Sequence, residues 1–358
     1  MTLASIKGVR IRAVSACVPQ RCKRNADDPY ISEQERELLI RTTGVEERRI
    51  AATGLTTADL CEVAARELLL DQEVDPHSID IIVLVTQSGD YTLPASAIIL
   101  QDRLGLRQDV MAFDVGLGCS GYVYGLSIVA GLMQSMGLRR GLLLAGDVSS
   151  VSCSPTDKSA YPLFGDAGSA TLLEHDEAAA EMHFSLFSDG AGYQAIMIPD
   201  GGARHNFSES SLAAISVAPG VTRNRTQLAL DGMAVFSFAT SRVPKSIIEI
   251  LNQQGLAAIN IDYFVMHQAN KIMNEAVRKK SGFSPEQTPY SLARFGNTSS
   301  ASIPLTLVSS LAEVLLGRAV TLLLSGFGVG LSWGNALVQV GGLRCLPLIE
   351  VDDDGRKV

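Results

Sequence analysis

Three windows of the 358-residue chain carry side chains with chemical potential. The first is VMAFDVGLGCSGYVYGLSIVAGLMQSMG, residues 110–137. VMAFDV reads as a strand and GLGCSG as a small-residue turn. YVYGLSIVAGLMQSM has helical periodicity and is apolar nearly all round, the mark of a buried helix. Cys119 therefore falls near a helix amino end, where unpaired N–H groups and the dipole stabilise a thiolate and lower its pKa. The flanking Gly118 and Gly121 permit close backbone approach. The chemistry on offer is nucleophilic attack; the plainer alternative is a small buried cysteine in a tight joint. In the second window, FVMHQANKIMNEAVRKKSG (264–282), His267 follows a buried strand and precedes a helix with a polar start. It is either a satisfied structural histidine or a group at the carboxyl end of a sheet strand, where open α/β sheets collect ligands. In the third, YSLARFGNTSSASIPLTL (290–307), Asn297 opens a Thr/Ser run that also reads as an N-cap cluster.

The elements that must position these residues occur twice. SIDIIVLVTQS (78–88) is echoed by NIDYFVMHQAN (260–270), and RGLLLAGD (140–147) by VTLLLSGF (320–327). Both pairs share an offset of roughly 180 residues, as duplicated halves require. Each run is short, apolar and bounded by polar residues or Gly, the pattern of a strand buried on both faces. Helical patterns precede them at 56–71 and 235–255. Alternating strands and helices imply α/β layering in two packed halves. The halves are expected at residues 1–180 and 181–345, with residues 346–358 as a charged, frayed polar tail. The Gly/Pro/Ser-rich segment 189–210 is expected to bridge the halves and to act as a lid.

Bulk properties narrow the function. The chain is 46% hydrophobic with a net charge of −8, which fits a well-buried globular protein and argues against a general nucleic-acid or membrane-surface binder. Its start lacks an uninterrupted apolar stretch of signal-peptide type, and the apolar run 305–331 is interrupted by Glu313 and Arg318, so it reads as core. A cytoplasmic location is expected. Six scattered cysteines read as reduced thiols, and five histidines lack metal-type spacing, so no metal or organic cofactor is expected. FGDAGSA and GFGVG lack the form of phosphate loops; Asp166 in the first is read as orienting backbone.

Taken together, CSG at the head of a buried helix, then HQAN, then GNTSSAS, in that order and spacing, resemble the β-ketoacyl-acyl-carrier-protein synthase III family of condensing enzymes. TTGVEERR (42–49), SPTDK (154–158), FGDAGSA (164–170) and SGFGVGLSWGNALV (325–338) extend the resemblance from about Gly8 to about Val340. It implies a thiolase-like fold, an αβαβα sandwich of two α/β halves, and a homodimer. It also implies that Cys119 accepts an acyl group from a thioester primer, and that His267 and Asn297 stabilise the enolate formed when a malonyl-ACP extender loses CO₂. The backbone N–H groups of Cys119 and Val329 form the implied oxyanion hole. Leu93, in the TLPAS segment, Phe164 and Gly328 are the implied substrate-pocket residues. The implied partners are acyl carrier protein, an acyl-CoA or acyl-ACP primer and a malonyl thioester. The alternative is a non-elongating acyltransferase that passes the Cys119-bound acyl group to a hydroxyl or amine.

The chain also departs from the family pattern. Where members that load from acyl-CoA commonly carry a Trp and an Arg, this chain carries Leu38 and Thr42, and the Arg after PTD is Lys158. Leu38 and Lys158 are poor substitutes for a pair that stacks on adenine. The GFGGG loop reads GFGVG, with Val329 in place of Gly. Lys271, Arg278, Lys279 and Lys280 form a basic group on an acidic chain, read either as cations at a helix carboxyl end or as a docking patch for an acidic carrier protein.

Overall fold

The computed structural model describes residues 3–358. Twelve strands carry the architecture. In chain order they are β1 (Leu3–Ile6), β2 (Val9–Pro19), β3 (Ile81–Val85), β4 (Met111–Val115), β5 (Arg140–Asp147), β6 (Ala167–His175), β7 (Met182–Ser188), β8 (Tyr263–Met266), β9 (Val320–Gly328), β10 (Ser332–Val340), β11 (Arg344–Cys345) and β12 (Ile349–Val351). The helices that matter for the site are α1 (Glu33–Thr43), α2 (Thr57–Asp71), α3 (Gly121–Met136), α4 (Gly232–Gln253), α5 (Lys271–Lys280) and α6 (Ser302–Gly317).

One sheet runs β11–β2–β6–β5–β3–β4, with β12 also on β2; the other runs β1–β7–β10–β9–β8. The expected duplication is visible in their pairing. In the first, β2–β6 and β6–β5 are antiparallel and β5–β3 is parallel. In the second, β7–β10 and β10–β9 are antiparallel and β9–β8 is parallel. The echoed sequence runs are β3 with β8 and β5 with β9. Their apolar side chains point both ways because both sheet faces are covered.

Helices α3 and α6 lie between the sheets. Their side chains, such as Leu126, Val129, Leu305 and Leu311, share one core with inward residues of both sheets, including Val83, Leu143, Phe184 and Leu324. This explains why both helices are apolar all round, and why the run from 305 is core. Helix α2 covers the outer face of the first sheet, and α4 and α5 that of the second. Gly121 is required at the foot of α3, because a Cβ there would strike Val85 of β3.

Two expectations about the chain's organisation are corrected. Residues 346–358 are not a frayed tail: Ile349–Val351 pair in parallel with Cys17–Pro19, and Leu346, Ile349 and Val351 are buried. The alternation of apolar and acidic residues in LPLIEV satisfies a sheet edge, which charge alone concealed. The ends also cross over, since β1 joins the second sheet through β7. Segment 189–210 does not bridge the halves; residues 176–181 do, between β6 and β7. It belongs to a longer insertion between β7 and α4, whose Ile196 and Ile198 overhang the cavity described below.

Candidate active site

Cys119 sits in the turn between β4 and α3, two residues before the first helical residue. It is buried, and the close approach of β9 fixes its surroundings. A Cβ at Gly328 would lie 2.5 Å from the Cys119 Cβ and 2.8 Å from Sγ, so only glycine fits at that position. The same turn aims the Val329 N–H at the Cys119 sulfur. Burial pushes the Cys119 thiol up to about 11, against the opposing pull of the Val329 N–H and the Ser299 hydroxyl. The expected low-pKa thiolate is thereby corrected. The sulfur lies outside the first turn of α3, and loss of water outweighs what the helix end and hydrogen bonds provide.

His267 follows β8, and its N–H donates to Ser325 O at 2.8 Å. Asn274 Nδ2 donates to the His267 carbonyl at 2.9 Å, which locks the backbone from α5. The ring is buried, edge-on to Phe327 with centroids 5.6 Å apart, and its Nδ1 lies 2.8 Å from Ser302 Oγ. Burial drives its pKa down to about 3, although the Ser299 carbonyl works in the other direction. The imidazole is therefore neutral at physiological pH and a weak base.

Asn297 is held at both ends. Its N–H donates to Leu163 O at 2.8 Å, its carbonyl accepts from the Gly165 N–H at 3.0 Å, and its side-chain Oδ1 accepts from the Ser299 N–H at 2.9 Å. Phe164 is its bridge partner. The TSS run is thus more than a cap. Ser299 carries φ +49, unusual for a residue with a side chain, and its carbonyl lies 2.8 Å from the same Ser302 Oγ that contacts His267.

Cys119, His267 and Asn297 all line one cavity of about 190 Å³, together with Phe164, Gly328 and Val329. Its walls are otherwise mainly apolar, with Leu163, Ile196, Ile198, Leu228 and Leu230 from the loops and Met273 from α5. That combination suits an acyl chain leading to a polar reacting centre. Gln87, Asp147 and Ser299 are among the polar residues of this cavity that escaped the sequence reading. Asp147 ends the echoed strand RGLLLAGD, and its position at a strand's carboxyl end was the available signal. Ser299 was hidden within a run that reads as helix capping.

Other expected residues are placed elsewhere. Leu93 is 81% exposed and does not line the cavity of its own chain. Asp166 accepts from the Ala51 and Ser150 N–H groups, and so orients backbone as expected. Of the basic group, Lys271 and Lys279 are exposed, while Lys280 Nζ donates to Thr240 O at 2.9 Å. Arg278 is buried, ion-paired to Glu275 at 2.7 Å and donating to Phe283 O at 2.6 Å. Its expected place in a docking patch is therefore corrected: its guanidinium closes the end of α5 internally.

Comparison with known proteins matches this arrangement. The family profile described as 3-oxoacyl-[acyl-carrier-protein (ACP)] synthase III matches residues 113–192, and that of its C-terminal part matches 251–340. The β-ketoacyl-[acyl-carrier-protein] synthase III of Streptococcus uberis is 34% identical over 90% of this chain and 96% of its own. That of a Bradyrhizobium species is 33% identical over 95% and 100% respectively. The crystal structure of a 3-oxoacyl-(acyl-carrier-protein) synthase from Burkholderia xenovorans superposes with a TM-score of 0.91, at 34% identity, covering 98% of this chain and 99% of that one. With a duplicated fold, a buried cysteine at the foot of its central helix and a histidine and asparagine from the second half in the same cavity, the chain belongs to the 3-oxoacyl-[acyl-carrier-protein] synthase III family of condensing enzymes.

Proposed function

We propose that Cys119 accepts an acyl group from a thioester primer, and that His267 and Asn297 then direct a decarboxylative Claisen condensation with malonyl-ACP to a 3-oxoacyl-ACP. The reading rests on one observation: the three side chains, drawn from both halves, face a single cavity. Holding the acyl group on sulfur divides one difficult step into two. The Asn297 Nδ2 and His267 Nε2 donate to the malonyl thioester carbonyl. When CO₂ leaves, the same donors meet the enolate oxygen, and such preorganised donors act strongly in a water-poor site. Ser302 Oγ lies 2.8 Å from His267 Nδ1 and orients the ring; turning the Ser302 hydroxyl from the Ser299 carbonyl to Nδ1 as the malonyl group binds would place the ring proton on Nε2. The carbanion attacks the acyl-Cys119, and the N–H groups of Cys119 and Val329 hold the resulting oxyanion.

The weak basicity of His267 speaks for condensation over acyl transfer to a hydroxyl or amine, since that second reaction needs the ring as a general base. Carrier-protein delivery of the primer is supported by the cavity approach. Lys158 is paired with Glu35 of α1 at 2.8 Å, and Leu38 of the same helix is half exposed. Neither side chain is disposed to stack on a purine. Lys271 and Lys279 then serve as the contacts for an acidic carrier, with Lys280 beside them. The exposed Leu93 segment fits a role in a second copy's acyl pocket, in a homodimer.

The test is to incubate the protein with acyl-CoA and acyl-ACP thioesters and weigh the intact chain, then add malonyl-ACP. The expected result is an acyl adduct absent from Cys119→Ser, followed by CO₂ release and a 3-oxoacyl product. An adduct that survives Cys119→Ser refutes the nucleophile.

A further inference from the structure

Arg48, only 1% exposed, is among the largest side chains wholly buried in the protein. It lies on the short strand Glu47–Arg49, which pairs with Cys22–Arg24. Its Nη1 donates to the Tyr161 carbonyl at 2.7 Å and to the Phe164 carbonyl at 3.1 Å, and its Nε donates to Asn25 Oδ1 at 3.2 Å. None of these partners is a carboxylate. The guanidinium also sits over the Tyr161 ring, with Cζ 4.8 Å from the centroid. Asn25 is itself buried, and its Nδ2 donates to the Pro162 carbonyl at 2.9 Å and the Val45 carbonyl at 3.0 Å. Burying a cation without a bonded anion is costly, and an apolar side chain of similar volume would fill the space at less expense. What such a side chain would not do is hold the Tyr161 and Phe164 carbonyls in one fixed arrangement.

The segment held in this way is the one on which Asn297 hangs. Both backbone groups of Asn297 bond it, the N–H to Leu163 O at 2.8 Å and the carbonyl to the Gly165 N–H at 3.0 Å. The Arg48 stem also reaches the neighbouring turn directly. Gly296 has φ +65, and a Cβ there would lie 2.6 Å from Leu163 O and 3.0 Å from Arg48 Cγ. The other two site residues have different anchors: Gly328 and Val329 beside Cys119, and Ser325, Asn274 and Ser302 around His267.

We propose that Arg48 is a positioning residue for the Asn297 carboxamide: with Asn25 it fixes residues 161–164, and through them the aim of Asn297 Nδ2 into the cavity. Arg48 does not line that cavity, so it acts through Asn297 and touches no substrate. Lysine is a poor replacement. It keeps the charge but gathers its donors on one atom at the end of a flexible stem, and does not reproduce the Nη1 and Nε contacts together.

The proposal rests on the malonyl role of Asn297 given above, and its test separates the two. In Arg48→Lys the kcat for decarboxylation of malonyl-pantetheine is expected to fall about 10²-fold, the cost of a misplacement near 1 Å, with KM changing far less. Acylation of Cys119 by acetyl-pantetheine, read by intact mass, should fall much less than decarboxylation. In an Asn297→Ala background, Arg48→Lys should cost almost nothing more, because two changes that act through one group are not additive. A merely structural loss would instead lower both half-reactions together and persist in that background. Protein carrying isotope-labelled asparagine gives an NMR readout free of turnover. The Asn297 carboxamide signals, assigned by their absence from Asn297→Ala, should move or broaden in Arg48→Lys.

Native-rate decarboxylation in Arg48→Lys overturns the proposal. So does equal loss of both half-reactions, a full further loss in the Asn297→Ala background, or unmoved carboxamide signals. If Arg48→Lys does not fold, Asn25→Ala, which frees the Nε side of the guanidinium and the Pro162 carbonyl, goes through the same comparison and decides the matter. A native protein that leaves malonyl-pantetheine intact, or an Asn297→Ala variant that decarboxylates it at the native rate, would refute the proposed function. The carboxamide signals would then decide on Arg48 alone.

Discussion

The Ser299 N–H donates to Asn297 Oδ1 at 2.9 Å, which assigns the two ends of the carboxamide. With Oδ1 committed to backbone, Nδ2 is the end left to act as donor in the cavity. Asn297→Asp is close to isosteric and keeps the acceptor for Ser299, but removes that donor and adds charge. Malonyl decarboxylation should fall about 10²–10³-fold, the usual effect of losing one oxyanion donor, while acyl-adduct formation on Cys119 persists. Measuring CO₂ release beside intact mass checks both halves of the expectation.

His267 divides the reaction at the same point. His267→Ala should still form the acyl adduct, because the ring is not the base for Cys119, yet fail to condense. Loss of the adduct in this variant would restore the imidazole as the proton acceptor.

The raised thiol predicts a particular pH response. With Cys119 near 11, the thiolate fraction grows about tenfold for each pH unit below that value. Iodoacetamide alkylation of Cys119 should therefore keep rising from pH 7 to pH 10 without a plateau near 8. A cysteine activated by a helix end would level off at neutral pH. The neutral ring of His267, with its pKa near 3, should add no inflection between pH 5 and 8.

The same contrast shows what the sequence could and could not convey. The duplicated strands were legible because burial on both faces leaves unbroken apolar runs, which repeat at one offset. Cys119, His267 and Asn297 were legible as types in order, and the structure brings them to one cavity. The direction of the Cys119 pKa was not legible: helix ends can be recognised from pattern, whereas desolvation depends on what β9 and the loop at Gly328 place around the sulfur. Arg278 failed for a related reason. A run of three cations looks uniform in sequence, but on α5 successive residues point about 100° apart, so Arg278 meets Glu275 and Phe283 while Lys279 is exposed to water. The strand at 349–351 was masked by its acidic neighbours, since β2 supplies its partner from the far end of the chain.

That difference within the basic run can be measured. Lys279→Glu, alone or with Lys280→Glu, should raise the KM for acyl carrier protein and leave turnover of pantetheine thioesters nearly unchanged, as expected for a steering contact. Arg278→Ala should instead lower stability, because it leaves the buried Phe283 carbonyl without its donor and Glu275 without its partner; leaving a buried acceptor unsatisfied costs about 1–3 kcal/mol. Equal carrier kinetics in Lys279→Glu and the native protein would remove α5 from the docking surface.

Gly328 offers the most local test of the site. A methyl group at this position would lie 2.5 Å from the Cys119 Cβ and 2.8 Å from its sulfur, closer than carbon and sulfur atoms tolerate. Either β9 retreats, drawing the Val329 N–H away from the sulfur, or Cys119 rotates out of the cavity. Both outcomes misplace the nucleophile by a large part of an ångström, and displacement of about 1 Å can cost 10²-fold in rate. Gly328→Ala should thus lose about 10²-fold in acylation, with far less effect on malonyl decarboxylation, because His267 and Asn297 hang from β8 and the loop before α6. Comparable loss of both half-reactions would mean that the displacement travels along β9 to Ser325 and Phe327, which contact His267, and is not absorbed by the Ser302 and Asn274 anchors.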